Sequence, residues 1–283
     1  MKNHRRIFFA LCSSTLLFGC QSIEHRSQIT EVPVPGAETK LVTTVFYPKG
    51  EGPFPVAILN HGTPAGDKGR RAMGRWLQPE PVNALIERGY VVAIPMRRGF
   101  GATGGRYNGS IGGCADPKFY RGSLGAAEDI VAAVEYVKTL PSVDGGRILL
   151  VGHSAGGIAS MAAASMQPDG VRAVMNFSGG RGSGRSGSKR GVPCYPERMA
   201  DAIGRYAQTI DAPVLWYYVE DDSYFGPEVV RSWFESFRQN GGKGELVFHP
   251  GSSISDGHQF IKKSGSSRDW GPVLDKFLSS VSF

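Results

Sequence analysis

The chain has 283 residues, 41% of them hydrophobic and 20% charged. That is long enough to bury a substantial core and too apolar for a chain disordered as a whole. No run of about 18 apolar residues occurs, which excludes a membrane-spanning helix in the mature protein. The formal charge of +7 points toward nucleic acid only until the first residues are read.

Lys2, Arg5 and Arg6 precede the apolar run 7–18, and the first acid is Glu24. A positive segment followed by a short apolar one reads as an export signal over residues 1–19. Removing its three cations brings the net charge from +7 to +4, an ordinary balance for a globular domain, so nucleic acid is not an expected partner. Leu17-Phe18-Gly19-Cys20 resembles a bacterial lipobox, in which a Cys behind a small residue becomes lipidated; Phe18 is bulkier than usual there. The expectation is an exported protein anchored through lipid on Cys20 and facing the periplasm or cell exterior. Simple cleavage of the signal is the alternative. Residues 20–39 are read as the lipidated Cys and a polar tether, and 40–283 as one domain. Cys114 and Cys194 are then an even pair in an oxidising compartment, where a disulfide is expected and two buried thiols are the alternative.

Past the tether, strand-like runs fall at 41–47, 56–60, 90–95, 147–152, 173–177, 214–219 and 245–249. Most are short, apolar and rich in Val and Ile, as in strands buried on both faces. Helical patterns fall between or after them at 125–140, 155–166, 196–208, 227–239 and 270–280. In 125–140, Ala126, Ile130, Ala133, Val134 and Val137 share one face. This alternation implies an α/β domain with a mostly parallel sheet covered on both sides. The segment 181–193 breaks the pattern. It is Gly, Ser and basic residues apart from Val192 and Pro193, and it reads as a loop.

Gly152-His153-Ser154-Ala155-Gly156 is the one Gly-x-Ser-x-Gly match in the chain, with a strand leading in and a helix leading out. A strand turning sharply into a helix lifts the Ser hydroxyl above the sheet, and crowding leaves room only for small residues two positions to either side. Ser154 is therefore the candidate nucleophile. It needs a base. His258, beyond the last strand in Ser255-Asp256-Gly257-His258, is the candidate, with His249 in reserve. His153 is expected to point away, His25 lies in the tether, and His61 ends an early strand. The acid comes from Glu220-Asp221-Asp222 at the end of strand 214–219, giving the chain order Ser154, Asp222, His258. Asp256 is assigned to the turn. Backbone N–H groups of Ala155 and Thr63 are the expected oxyanion donors, Thr63 through its place in Asn60-His61-Gly62-Thr63 after an early strand.

These segments, together with Arg97-Arg98-Gly99-Phe100-Gly101, resemble those of α/β-hydrolases in the dienelactone-hydrolase-like and prolyl-oligopeptidase-like branch. The resemblance runs in order over most of 40–283. It implies a mostly parallel central sheet with helices on both faces and no large cap domain. Its Glu-x-Asp pattern favours Asp222 over Asp221. Dienelactone hydrolases proper use Cys where this chain has Ser154, and the propeller of prolyl oligopeptidases is absent. The expected activity is hydrolysis of an ester, thioester or small amide through an acyl-enzyme on Ser154. An acyltransferase with the same triad and a non-catalytic binding protein on the same fold are the alternatives. The expected partner is a small acyl substrate. No cofactor and no metal are implied. Loop 181–193, with Arg181, Arg185, Lys189 and Arg190, is expected on the Ser154 side of the sheet, either as a surface loop or as a lid favouring anionic substrates.

Overall fold

The computed structural model describes residues 26–184, 188–251, 256–281 and 283. The expected signal 1–19, Cys20, the start of the tether with His25, and Arg185 lie outside the described residues.

Eight strands form one sheet: β1 (Arg26–Val32), β2 (Leu41–Tyr47), β3 (Phe54–Asn60), β4 (Val91–Pro95), β5 (Val143–His153), β6 (Val171–Phe177), β7 (Val214–Val219) and β8 (Gly244–His249). Their spatial order is β1-β2-β4-β3-β5-β6-β7-β8. β1 and β2 run antiparallel to their neighbours, and the other pairings are parallel. The helices are α1 (Gly66–Arg71), α2 (Pro79–Glu87), α3 (Phe119–Val137), α4 (Ala155–Ala164), α5 (Pro196–Ala207), α6 (Pro227–Gln239) and α7 (Ser267–Ser280).

Strand alternation divides the core between the two sheet faces. Val56 and Ile58 of β3 pack with residues of α3, α4, α5 and α6, including Ile130, Ile158, Met199 and Trp233. Ala57 and Leu59 pack the other way, with Leu85 of α2 and Trp270, Leu274 and Phe277 of α7. Because β3 to β7 carry helices on both faces, their sequences read as apolar runs rather than as alternation.

The expected strands and helices all form, β2, β7 and α6 with the expected bounds. Two corrections concern the edges. Residues 26–32, read as part of the tether, are strand β1, paired along its whole length with β2, and Val32 and Val34 are fully or nearly buried. The sheet thus begins before residue 40. Helices α1 and α2 were absent from the expected elements. α1 buries no residue and so carries no apolar stripe, while α2 holds Pro79 in its first turn, where a missing N–H costs nothing.

Cys114 and Cys194 form a disulfide with their Cα atoms 5.8 Å apart. It joins the loop before α3 to the segment that leads into α5.

Candidate active site

β5 lies in the middle of the sheet, paired with β3 on one side and β6 on the other. Loops leaving the carboxyl ends of β3, β5, β6, β7 and β8 therefore gather around the turn that follows β5, the usual place for a site in such a sheet. Ser154 occupies that turn with φ 58° and ψ −127°, between the end of β5 and the first residue of α4. Its own N–H donates to Phe177 O, and its carbonyl accepts from Gly157 N and Gly180 N. The turn is packed to the limit. A methyl at Gly152 would stand 2.2 Å from Gly156 O, and one at Gly156 would stand 2.3 Å from Asn60 O. This is the physical content of the two glycines in the motif.

Ser154 Oγ lies 3.0 Å from His258 Nε2, and His258 Nδ1 lies 3.1 and 3.0 Å from the two carboxylate oxygens of Asp222. Facing a carboxylate, Nδ1 is assigned the proton, which leaves Nε2 free to accept from the serine hydroxyl. Asp222 is fixed in turn by the Tyr224 and Phe225 backbone N–H groups, at 2.8 and 3.1 Å. Asp222 and His258 are both buried. Tyr224 stacks on the His258 ring at 4.2 Å between centroids, and Phe225 meets it edge-on.

The backbone of His258 is held from two sides. Asp256 accepts from His258 N at 3.0 Å and from the N–H and hydroxyl of Ser223, so it ties the loop after β8 to the loop after β7. Its turn role is thus also an alignment of base with acid. On the other side His153 Nε2 lies 2.7 Å from the His258 carbonyl. A carbonyl only accepts, so His153 carries its proton on Nε2. Burial, with smaller contributions from His258 and Lys262, pushes its pKa well below the usual histidine range, and it stays neutral. His153 was expected to point away from the site. Instead it lines the cavity and braces the base, with Trp76 stacked parallel to it. His249 does not line the cavity; its Nδ1 accepts from Gly251 N and its Nε2 faces Asp269.

Ala155 and Thr63 both line the cavity beside Ser154. As the first residue of α4, Ala155 has an N–H with no carbonyl to bond inside the helix. The turn that carries Thr63 is clamped by Arg97, a residue quoted in the sequence resemblance without a role. Arg97 Nη2 donates to His61 O at 2.5 Å and Gly62 O at 3.2 Å, and Arg97 N donates to His61 Nε2. His61 Nδ1 therefore holds its proton for Gly62 O. Burial first, then the Arg97 charge, lowers the His61 pKa well below the usual range.

The cavity above Ser154 has a volume of about 900 Å³. Arg181, at the start of the basic loop, is buried and forms part of the cavity wall, while Lys189 and Arg190 are exposed and do not line it. The described parts of the loop are fastened down: Gly191 N donates to Ser223 O, Gly226 N to Gly191 O, and Cys194 N to Gly182 O, next to the disulfide.

A mostly parallel sheet with this strand order, carrying a serine, a histidine and a carboxylate in contact at the carboxyl ends of its strands, defines an α/β-hydrolase of the serine-hydrolase type. Comparison with known proteins agrees. The family model of X-Pro dipeptidyl-peptidases (S15 family) matches residues 36–200, over half the chain, and the protein belongs to that family. No curated protein matches the chain. Similar solved structures include a putative dienelactone hydrolase from Klebsiella pneumoniae, with 16% identity and a TM-score of 0.61 over 90% of this chain and 99% of that one. Est1E from Butyrivibrio proteoclasticus, solved with ferulic acid bound, has 20% identity and a TM-score of 0.61 over 90% and 100%. The acylaminoacyl peptidase of Pyrococcus horikoshii has 14% identity and a TM-score of 0.64, over 92% of this chain but 42% of that one. At these identities the likeness is one of fold.

Proposed function

We propose that the protein cleaves carboxylic esters through an acyl-enzyme on Ser154. The observation that carries this reading is the unbroken relay from Ser154 Oγ to His258 to Asp222, each link 3.0 to 3.1 Å long. Ser154 Oγ attacks the ester carbonyl and its proton passes to His258 Nε2. The N–H groups of Ala155 and Thr63 hold the resulting oxyanion. As the intermediate collapses, His258 gives that proton to the departing alkoxide. A water then takes the place of the alcohol, loses a proton to His258 and attacks the acyl carbonyl. The acid departs as the proton returns to Ser154.

Esters are favoured over X-Pro dipeptides by the charge of the cavity. Removing an N-terminal dipeptide requires a group that recognises the terminal ammonium. Among the described residues lining the cavity the one carboxylate is Asp67, which is exposed and paired with Arg70 at 2.5 Å. The test is turnover of simple phenyl esters beside a Gly-Pro anilide. Ester hydrolysis without anilide release is expected; release of Gly-Pro at a comparable rate would overturn the ester reading.

Export on a lipid anchor belongs to the same reading. It is supported by the basic and apolar N-terminal segments, by Cys20 at their end, and by the Cys114–Cys194 disulfide, which suits an oxidising compartment. Cys20→Ser should abolish lipid labelling in cells and release the protein from membranes. A wild type that takes up no lipid would contradict it.

A further inference from the structure

We propose that Arg181, Tyr107 and Arg70 form an anion subsite in the cavity wall, so that the substrate carries an anionic oxygen group in addition to its scissile ester. This rests on the ester-hydrolase reading and names its substrate class.

Arg181 is 7% exposed and lines the cavity. Among the described residues its guanidinium is held by neutral groups: Nη2 donates to Gly109 O and, at 3.1 Å, to the Tyr107 hydroxyl oxygen, and Nη1 stands 3.5 Å from Ser123 Oγ. No carboxylate of the described residues pairs with it. Burying a cation without a counter-ion is costly, and proteins usually supply the partner. Here the described residues do not supply it, while the open side of the group is a cavity that a substrate fills.

Tyr107 extends the same surface. Its oxygen accepts from Arg181, and among the described hydrogen bonds its own O–H has no acceptor, so that proton is available to a ligand in the cavity. Burial alone would raise the phenol pKa, but the charges of Arg181 and Arg97 outweigh it and the pKa is lowered. The Arg70 guanidinium lies 3.9 Å over the Tyr107 ring. One of its nitrogens pairs with exposed Asp67, while its buried Nε has no partner. Lys262, also in the cavity wall, adds a further cation. Among the described residues the wall therefore holds three cations, from three separate parts of the fold, against one exposed carboxylate. Neutral bonds fix Arg181 in place before any ligand arrives, which reduces the cost of ordering it on binding.

The same geometry also fits a residue that merely staples the 107–110 segment, and the test separates the two. Monophenyl esters of succinic, glutaric and adipic acids are compared with phenyl butyrate, valerate and hexanoate, which match them in length and lack the carboxylate. The wild type should show a kcat/KM at least tenfold higher for one diacid ester than for its neutral match, expressed mainly in KM, and the preference should shrink as salt is added. Succinate and inorganic phosphate as competing inhibitors show which anion fits better. Arg181→Gln should lower the diacid-to-neutral ratio at least tenfold, whereas a stapling role would lower both substrates together. Should that variant fail to fold, Arg70→Gln is expected to lower the ratio in the same direction. A wild-type ratio of one or less at all three lengths would overturn the subsite. If the wild type cleaves none of the esters, the hydrolase reading fails separately. Calorimetric binding of the same pairs to Ser154→Ala then still decides the subsite: tighter binding of a diacid ester supports it, and equal binding overturns it.

Discussion

At the scale of single residues, the site depends on how many contacts fix one imidazole. His258 is held at Nδ1 by Asp222, at its N–H by Asp256 and at its carbonyl by His153, so Nε2 has one direction left, toward Ser154. Asp222→Asn presents an amide where a carboxylate should face Nδ1–H and favours the wrong tautomer. Hydrolysis should fall by a factor of order 10⁴, with the fold retained. Asp221→Asn should cost less than tenfold, because Asp221 lies against the Gly251 and Gly257 backbone and makes no bond to His258 Nδ1. Comparing kcat for the two variants on one ester checks this, and equal losses would contradict it. The three residues of the relay were legible in the sequence because each follows a recognisable strand, and their chain order carried the rest. His153 and Arg97 were not. Their work is done through backbone carbonyls of residues 105 and 36 positions away, and no spacing in the sequence encodes such a partner.

Among elements, the misreadings fall where a local signal conflicts with packing. α3 begins at Phe119, ahead of the expected 125, and so takes in Gly122 as well as Gly125. In the fold both lie against the 108–110 segment, and a methyl at either would stand 2.4 Å or less from a carbonyl oxygen of Ser110 or Asn108. β1 is an edge strand with one paired side and an exposed face, so its sequence is polar and resembles a tether. The basic loop was legible as a loop and as a neighbour of the site. That Arg181 would be drawn under it, away from Lys189 and Arg190, follows from Gly109 and Tyr107 on a different segment. The disulfide links elements 80 residues apart, and a closed loop of that size restrains the unfolded chain strongly. Replacing Cys114 and Cys194 by Ser should lower the unfolding free energy by about 2–5 kcal/mol in denaturant titrations. A loss under about 1 kcal/mol would show that the 111–118 and 180–194 segments hold their places without it.

For the molecule as a whole, two buried neutral histidines tie stability to pH. Burial keeps the pKa values of His61 and His153 well below the usual range in the native state, while in the unfolded chain they titrate near 6.5. Below that pH the unfolded chain binds protons that the native protein refuses, so stability falls as acid is added. Between pH 6.5 and 5 the two together account for up to about 3 kcal/mol. Urea midpoints at pH 7, 6 and 5 should decline in that order, and a flat series would mean that these rings protonate without unfolding. The mostly parallel sheet, its cover of helices on both faces and the clustering of loops at strand ends were implied by the alternation of strands and helices; the strand order was not. The cavity and its charge were not, because they arise where the loops after six strands, β3 to β8, meet. The central claim is that this meeting activates Ser154. Treatment with a fluorophosphonate followed by intact-mass and peptide analysis tests it most directly. A single adduct on Ser154, absent from Ser154→Ala and strongly slowed in His258→Ala, is the expected result; a wild-type protein that stays unlabelled, or is labelled at another serine, would contradict the account.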